Sequence, residues 1–300
     1  MLRRGESVKN YVSIDIGGTA IKYGVIAEDG RILIKDKMDT EAHKGGPEIL
    51  NKVFKIVENY LEEYKIVGIC ISTAGMVDTE KGEIFYASSL IPNYIGTKFK
   101  EELERKFSIP CEVENDVNCA GIAERISGAA IDSKVTLCLT IGTGIGGCIL
   151  IDEKVFHGFS NSACEIGYMK MFDSDFETLG AASILSKKVS ERKQDSTEIW
   201  DGYHIFEEAK KGDDICIEAI DEMVDILGMG IANLCYVINP QVVVLGGGIM
   251  AQDKYLKPRI EKALKKYLLP SIYEKTRLEF AQHKNEAGML GAFYNFKSKH

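Results

Sequence analysis

The chain has 300 residues and a net charge of -8, with 45% apolar and 27% charged residues. That length can bury one large core or two smaller ones with a cleft between them, and the composition, free of long Pro, Ser or Gln tracts, predicts a chain folded throughout. The acidic balance, with no basic run interleaved with aromatics, excludes nucleic acid as a partner. No apolar stretch reaches the roughly 18–20 residues needed to cross a bilayer, and the opening Met1-Leu2-Arg3-Arg4-Gly5-Glu6 leads into polar residues rather than a signal core, so a cytoplasmic protein without a membrane partner is expected.

Tyr11 to Ile16 reads as a strand, Gly17-Gly18-Thr19 as a tight turn and Ile21 to Ala27 as a second strand. Asp29-Gly30 then turns the chain into a third strand, Arg31 to Lys37. From Pro47 to Tyr64 apolar residues recur at three and four positions, which predicts an amphipathic helix feeding the strand Ile66 to Ser72. A short strand, Cys111 to Glu114, ends at Asn115-Asp116, either of which can cap a helix from Val117 to Ser127. The opening pattern then repeats: strand Val135 to Ile141, turn Gly142-Thr143-Gly144-Ile145-Gly146-Gly147, strand Cys148 to Ile151. Two such units suggest duplicated halves. A long helix follows, Asp213 to Ile238, then a strand Gln241 to Leu245, the turn Gly246-Gly247-Gly248 and a last helix from Glu286 to Phe296. Between Asp173 and Gly212 only a helix near Ala181 to Ser190 is legible. The eight cysteines form no CxC or CxxC pair and read as small buried hydrophobes, without a cysteine-bound metal.

Gly142, Gly144 and Gly147 match the spacing of a dinucleotide fingerprint, but that motif needs a helix to begin at the turn, and here a β-rich run follows. No P-loop sequence is present. Glycine turns still have a use for phosphate, because residues without Cβ let backbone N–H groups approach an anion. The first turn adds an acid, a hydroxyl and a cation as Asp15, Thr19 and Lys22. Asp15 is placed to organise Mg²⁺ through water beside a bound phosphate, and Lys22 is either part of that site or a solvated strand residue.

In this order and spacing the motifs resemble the ROK family of sugar kinases and repressors, within the sugar kinase, hexokinase, actin and Hsp70 superfamily. The carriers are Asp15-Ile16-Gly17-Gly18-Thr19, Glu114-Asn115-Asp116-Val117-Asn118, the Gly142 to Gly147 turn and Gly246-Gly247-Gly248. The resemblance implies two α/β lobes of ribonuclease-H-like type, residues 1–117 with 286–300 and residues 118–285, with the active site in the cleft between them. It implies ATP held by Asp15, Gly17, Gly18, Thr19, Lys22, Thr143, Gly144, Gly146, Gly247 and Gly248. It also implies Asp116 as the base that takes the proton from a sugar hydroxyl, usually on C6. A helix cap is the plainer role for Asp116, and the two are compatible.

Sugar contacts are implied for Gly75, Ser89, Asn115, Asp116, Glu165, Tyr168 and Glu177. Where most of the family has GExGH followed by zinc-binding cysteines, this chain has Cys164-Glu165-Ile166-Gly167-Tyr168 and then Asp173-Ser174-Asp175-Phe176-Glu177, so no structural zinc is expected. Tyr168 can offer a hydroxyl to a sugar without a metal to orient it. Ile71 to Asp78, Lys81 to Ile84 and Ile91 to Thr97 resemble the zinc-less N-acetylmannosamine kinases of sialic acid breakdown. The alternatives are β-glucoside kinase, which shares Gly167-Tyr168-Met169, then glucokinase and, from another class, a non-catalytic sugar-binding regulator. A homodimer is expected by analogy with the family.

Overall fold

The computed structural model describes residues 9–300, so the opening Met1–Glu6 lies outside the described residues. Contacts divide the described residues into two units, one of residues 9–126, 157–162 and 285–300 and the other of residues 127–156 and 163–284. This division differs from the expected one in placing the helix after Asn115 and a short middle segment with the first unit.

The first unit opens with β1 (Asn10–Ile16), β2 (Ala20–Ala27) and β3 (Ile32–Asp39), followed by α1 (Gly46–Glu63) and β4 (Ile66–Thr73). A small hairpin of β5 (Met76–Asp78) and β6 (Glu83–Tyr86) precedes α2 (Phe99–Phe107), β7 (Cys111–Asn115) and α3 (Asp116–Ser127). The main sheet runs β3-β2-β1-β4-β7. Its first three strands are antiparallel neighbours, whereas β1, β4 and β7 run parallel. Parallel pairing sends the C-terminal ends of β1, β4 and β7 to one edge, where Asp15, Ser72 and Glu114 share one register position and Ile16, Thr73 and Asn115 the next. The amphipathic α1 buries Ile49, Val53, Ile56 and Val57 at helical spacing. Each such side chain contributes about 1.5–3 kcal/mol when removed from water.

The second unit repeats the motif with β8 (Val135–Ile141), β9 (Ile145–Ile151) and β10 (Lys154–Val155). A hairpin of β11 (Lys170–Met171) and β12 (Ser174–Asp175) leads into α4 (Phe176–Gly180), α5 (Ala182–Lys193), α6 (Gly202–Lys210) and the long α7 (Asp214–Ile238). Then come β13 (Val242–Gly246), α8 (Asp253–Tyr267), α9 (Pro270–Tyr273) and β14 (Arg277–Phe280), in a sheet ordered β10-β9-β8-β13-β14. The turn between β8 and β9 is tighter than expected: Gly146 and Gly147 already pair with Thr140 and Leu139. The region from Asp173 to Gly212, largely illegible by pattern, is mostly helical. Its helices α4, α5 and α6 each pack on α7.

The last helix, α10 (Ala287–Lys299), returns to the first unit, where Phe293 and Phe296 meet Tyr11 edge-on at 5.1 and 5.5 Å. Gly291 lets it approach the Cys119 carbonyl, where a Cβ would collide.

Candidate active site

In the first unit, β1 delivers Asp15 to the sheet edge. Its carboxylate accepts a hydrogen bond from the buried Ser72 hydroxyl at 2.7 Å, and Lys22, its register partner on β2, lies 3.6 Å away. A Cβ on Gly288 would collide with this carboxylate, so the start of α10 can approach it only as glycine. The turn that follows is closed by Gly17 N–H donating to the Ala20 carbonyl at 3.1 Å and by Thr40 Oγ1 donating to the Gly17 carbonyl at 2.6 Å. Gly18 and Thr19 are exposed, and a Cβ on Gly18 would meet nothing within 4 Å, which leaves room for an anion.

Asp116 stands where β7 becomes α3. Asn115 supplies the cap, its Oδ1 accepting from the N–H groups of Val117 and Asn118 at 2.9 and 3.1 Å. Its Nδ2 donates to the Gly75 carbonyl and to Asp116 Oδ1, each at 3.0 Å. Asp116 Oδ1 also accepts from Val117 N–H at 2.9 Å, whereas Oδ2 takes none of these bonds. Capping, left open between the two residues by the sequence, thus falls mainly to Asn115, which leaves Asp116 Oδ2 outside the cap. Burial first, and then the nearby Asp15 charge, push the Asp116 carboxyl up from its ordinary 3.8 to about 7, against the lowering effect of its hydrogen bonds. Gly75 adopts φ +95, and a Cβ there would lie 2.8 Å from the Tyr86 carbonyl. The loop is braced from below by the buried Tyr94 hydroxyl on Thr73 Oγ1. Ser89 is exposed in the loop after β6, and no hydrogen bond joins it to these groups among the described residues.

In the second unit, Glu177 Oε2 accepts from Ile145 N–H at 3.0 Å, on the turn between β8 and β9. Cβ atoms on Gly144 and Gly167 would come against the same carboxylate, so three glycine-bearing or turn positions converge on it. Glu177 is held there because the next-door Phe176, fully buried, lies over Gly230 of α7, where any Cβ would strike the ring. Glu165 reaches solvent, yet its carboxyl is pushed up by partial loss of hydration and then by the Glu177 charge. Tyr168 closes the short helical turn Ile166–Tyr168 and is 55% exposed. Where the resemblance led to a comparison with cysteines, Asp175 instead caps α4 by accepting from Thr178 N–H at 2.8 Å. Among the described residues no group of three or more His, Cys, Asp or Glu side chains could hold a metal ion.

The third turn shows residues the sequence reading missed. Gly247 has φ +105, and a Cβ there would strike the Ile141 carbonyl, so the ends of β8 and β13 close together. Beside them is a cavity of 380 Å³, lined by Gly142, Ala182, Tyr203, Gly248 and Gln252 among others. The start of α5 hooks onto the second turn, with Ala182 N–H donating to the Gly142 carbonyl at 3.0 Å and Ser183 Oγ to the Thr143 carbonyl at 2.6 Å. The start of α6 is set by Asp201, whose carboxylate accepts from His204 N–H at 2.8 Å. Asp201-Gly202 was a legible cap signal, but nothing local says that Tyr203 faces a glycine turn some 45 residues later. An apolar slot next to open glycine turns suits an aromatic base joined to phosphates.

A model of the ROK family matches residues 11–299. An uncharacterised protein of Clostridium perfringens is 50% identical, over 96% of this chain and 97% of its own length. Two solved structures share the fold. One is a Listeria monocytogenes protein described as a candidate N-acetylmannosamine kinase, 30% identical with a TM-score of 0.87, covering 97% of this chain and 99% of that one. The other is a Streptomyces griseus ROK glucokinase in complex with glucose and AMPPNP, 26% identical with a TM-score of 0.82, covering 94% and 97%. With a match along almost its whole length, and with the family's α/β fold of the actin and hexokinase type, the chain belongs to the ROK family.

Proposed function

We propose that the protein is an ATP-dependent sugar kinase with Asp116 as its base, acting on the 6-hydroxyl of a hexose. The observation that carries this reading is the place of Asp116 at the end of β7, with Oδ1 held by Asn115 Nδ2 and Val117 N–H and Oδ2 outside those bonds, and with burial and Asp15 pushing the carboxyl up to about 7, where it can accept a proton. The sugar hydroxyl gives its proton to Asp116 while its oxygen bonds to the γ-phosphorus of ATP. The bond from that phosphorus to the bridging oxygen breaks, and ADP leaves with the electron pair. Gly18 and Thr19 in the first turn and Gly142 in the second, where a Cβ would meet nothing within 4 Å at either glycine, leave room for phosphate, and the cavity beside Gly248 takes the base.

Mg²⁺ fits the same reading, since Asp15 is a hard oxygen ligand fixed by Ser72 and set next to an anion-binding turn. Bound there with ATP, it would neutralise charge on the phosphates. By likeness to the family, Asn115 and the Gly75 loop it binds in the first unit, and Glu165, Tyr168 and Glu177 in the second, hold the sugar through its hydroxyls. Among the described residues no helix is long and apolar enough to cross a membrane. Cytoplasmic location and a homodimer belong to this proposal by likeness to the family.

For the sugar we propose N-acetylmannosamine, supported by the segments Ile71 to Asp78 and Ile91 to Thr97 and by the likeness to the Listeria protein. The test is ADP release with N-acetylmannosamine, N-acetylglucosamine, glucose, mannose and cellobiose. Highest kcat/KM on N-acetylmannosamine is expected. Preference for cellobiose or glucose would reassign the substrate to a β-glucoside or to glucose, and no turnover with any sugar would refute the kinase reading.

A further inference from the structure

Glu114, beside the candidate base, is 1% exposed, and a carboxylate in such a place must be supplied with donors or become costly to keep charged. Three converge on it. Asn115 N–H and Asn118 Nδ2 donate to Oε1 at 2.8 and 2.9 Å, and His157 Nε2 lies 2.8 Å from Oε2. Because a carboxylate only accepts, His157 carries its proton on Nε2. The two asparagines are the residues that shape the turn around Asp116: Asn115 caps α3 and holds Asp116 Oδ1, and Asn118 is the next residue bound to that cap.

The segment around His157 has an unusual path. Residues 157–162 group with the first unit, while the residues before and after them belong to the second. A second side-chain bond within the first unit, from Thr79 Oγ1 between β5 and β6 to Asn161 Oδ1, is long at 3.5 Å. Shortly after leaving it the chain reaches Glu165 and Tyr168.

We propose that His157 is a positioning residue for phosphoryl transfer: by donating to Glu114 it locks the turn that aims Asp116, and it anchors the segment from which the chain runs on to the sugar-side residues. The inference rests on the kinase reading for its kinetic consequence, but the lock itself does not. Without His157, Oε2 is left buried without a donor, and Glu114 must either turn toward water, dropping Asn115 and Asn118, or take up a proton. Both responses loosen the turn.

The experiment compares His157→Ala and His157→Gln with the wild-type full-length protein, because the glutamine amide can still donate to Glu114. Amide hydrogen exchange at Asn115, Val117 and Asn118 should speed up by about tenfold in His157→Ala. The kcat should fall by about 10- to 50-fold per folded molecule, with the KM for ATP within about twofold. His157→Gln should bring both readouts back to within about threefold of wild type. Unchanged exchange at these amides in His157→Ala would overturn the proposal, as would a glutamine variant no better than alanine. Loss of activity only in proportion to unfolded protein would overturn it too. Should the wild type phosphorylate no sugar, the kinase reading fails, and amide exchange alone decides whether the lock exists.

Discussion

Asp116→Asn separates chemistry from stability. The amide is almost the same size, and its oxygen can still accept from Val117 N–H, so the start of α3 is kept. If Asp116 is the base, as proposed, kcat should fall by about 100- to 10,000-fold. The folded protein holds the Asp116 proton more tightly than the unfolded chain does, with about 7 against the ordinary 3.8. Stability contributed by this group is therefore greatest below pH 3.8, declines as pH rises through the interval and stays low above about 7. The full gap corresponds to about 4 kcal/mol, and because Asp116 is partly accessible to water about 2 kcal/mol is the better figure. Asparagine has no such charge to bury, so at pH 8 the variant should melt higher than wild type by about 4–8 °C, with the difference vanishing near pH 4. The assay pairs thermal melts across pH with wild-type kcat/KM, which should rise about tenfold per pH unit to a plateau above about 7. A flat wild-type profile between pH 5.5 and 8, or a variant that melts below wild type at pH 8, would refute the argument.

Two further substitutions probe the neighbouring groups. Ser72→Ala removes the buried donor to Asp15 and should raise the Mg²⁺ concentration needed for half-maximal rate by about tenfold; an unchanged Mg²⁺ titration would show that Ser72 does not orient Asp15. Gly144→Ala pushes a Cβ into the Glu177 carboxylate and breaks its bond to Ile145 N–H. Because the collision is with a side-chain end, folding should survive while the KM for sugar rises by about 10- to 100-fold, and an unaltered KM would remove Glu177 from the sugar site.

Much of this was local and so legible. The β-rich run after Gly144 set a hairpin apart from a dinucleotide fold, since the residues beyond a glycine turn decide whether a helix or a strand follows. Three- and four-residue spacing showed α1, and a short strand ending in Asn115-Asp116 placed a carboxylate at a sheet edge. Three- and four-residue spacing also marked α5, expected near Ala181 to Ser190 and found at Ala182–Lys193. Where pattern was weak it failed: α4 and α6 are helices whose burial comes from packing on α7, and Gly146 and Gly147 joined β9 because their partners on β8 continued the ladder.

The sequence by itself therefore determined which carboxylate ends a strand, where the glycine turns fall and which family the motifs resemble, because each depends on neighbours along the chain. Only tertiary structure decided that Asn115 does most of the capping, that Ser72 and Gly288 frame Asp15, that Glu177 rests on the Gly144 turn, and that His157 reaches Glu114. Those contacts join residues far apart in sequence, and the burial that moves Asp116 to about 7 is a property of everything packed around it.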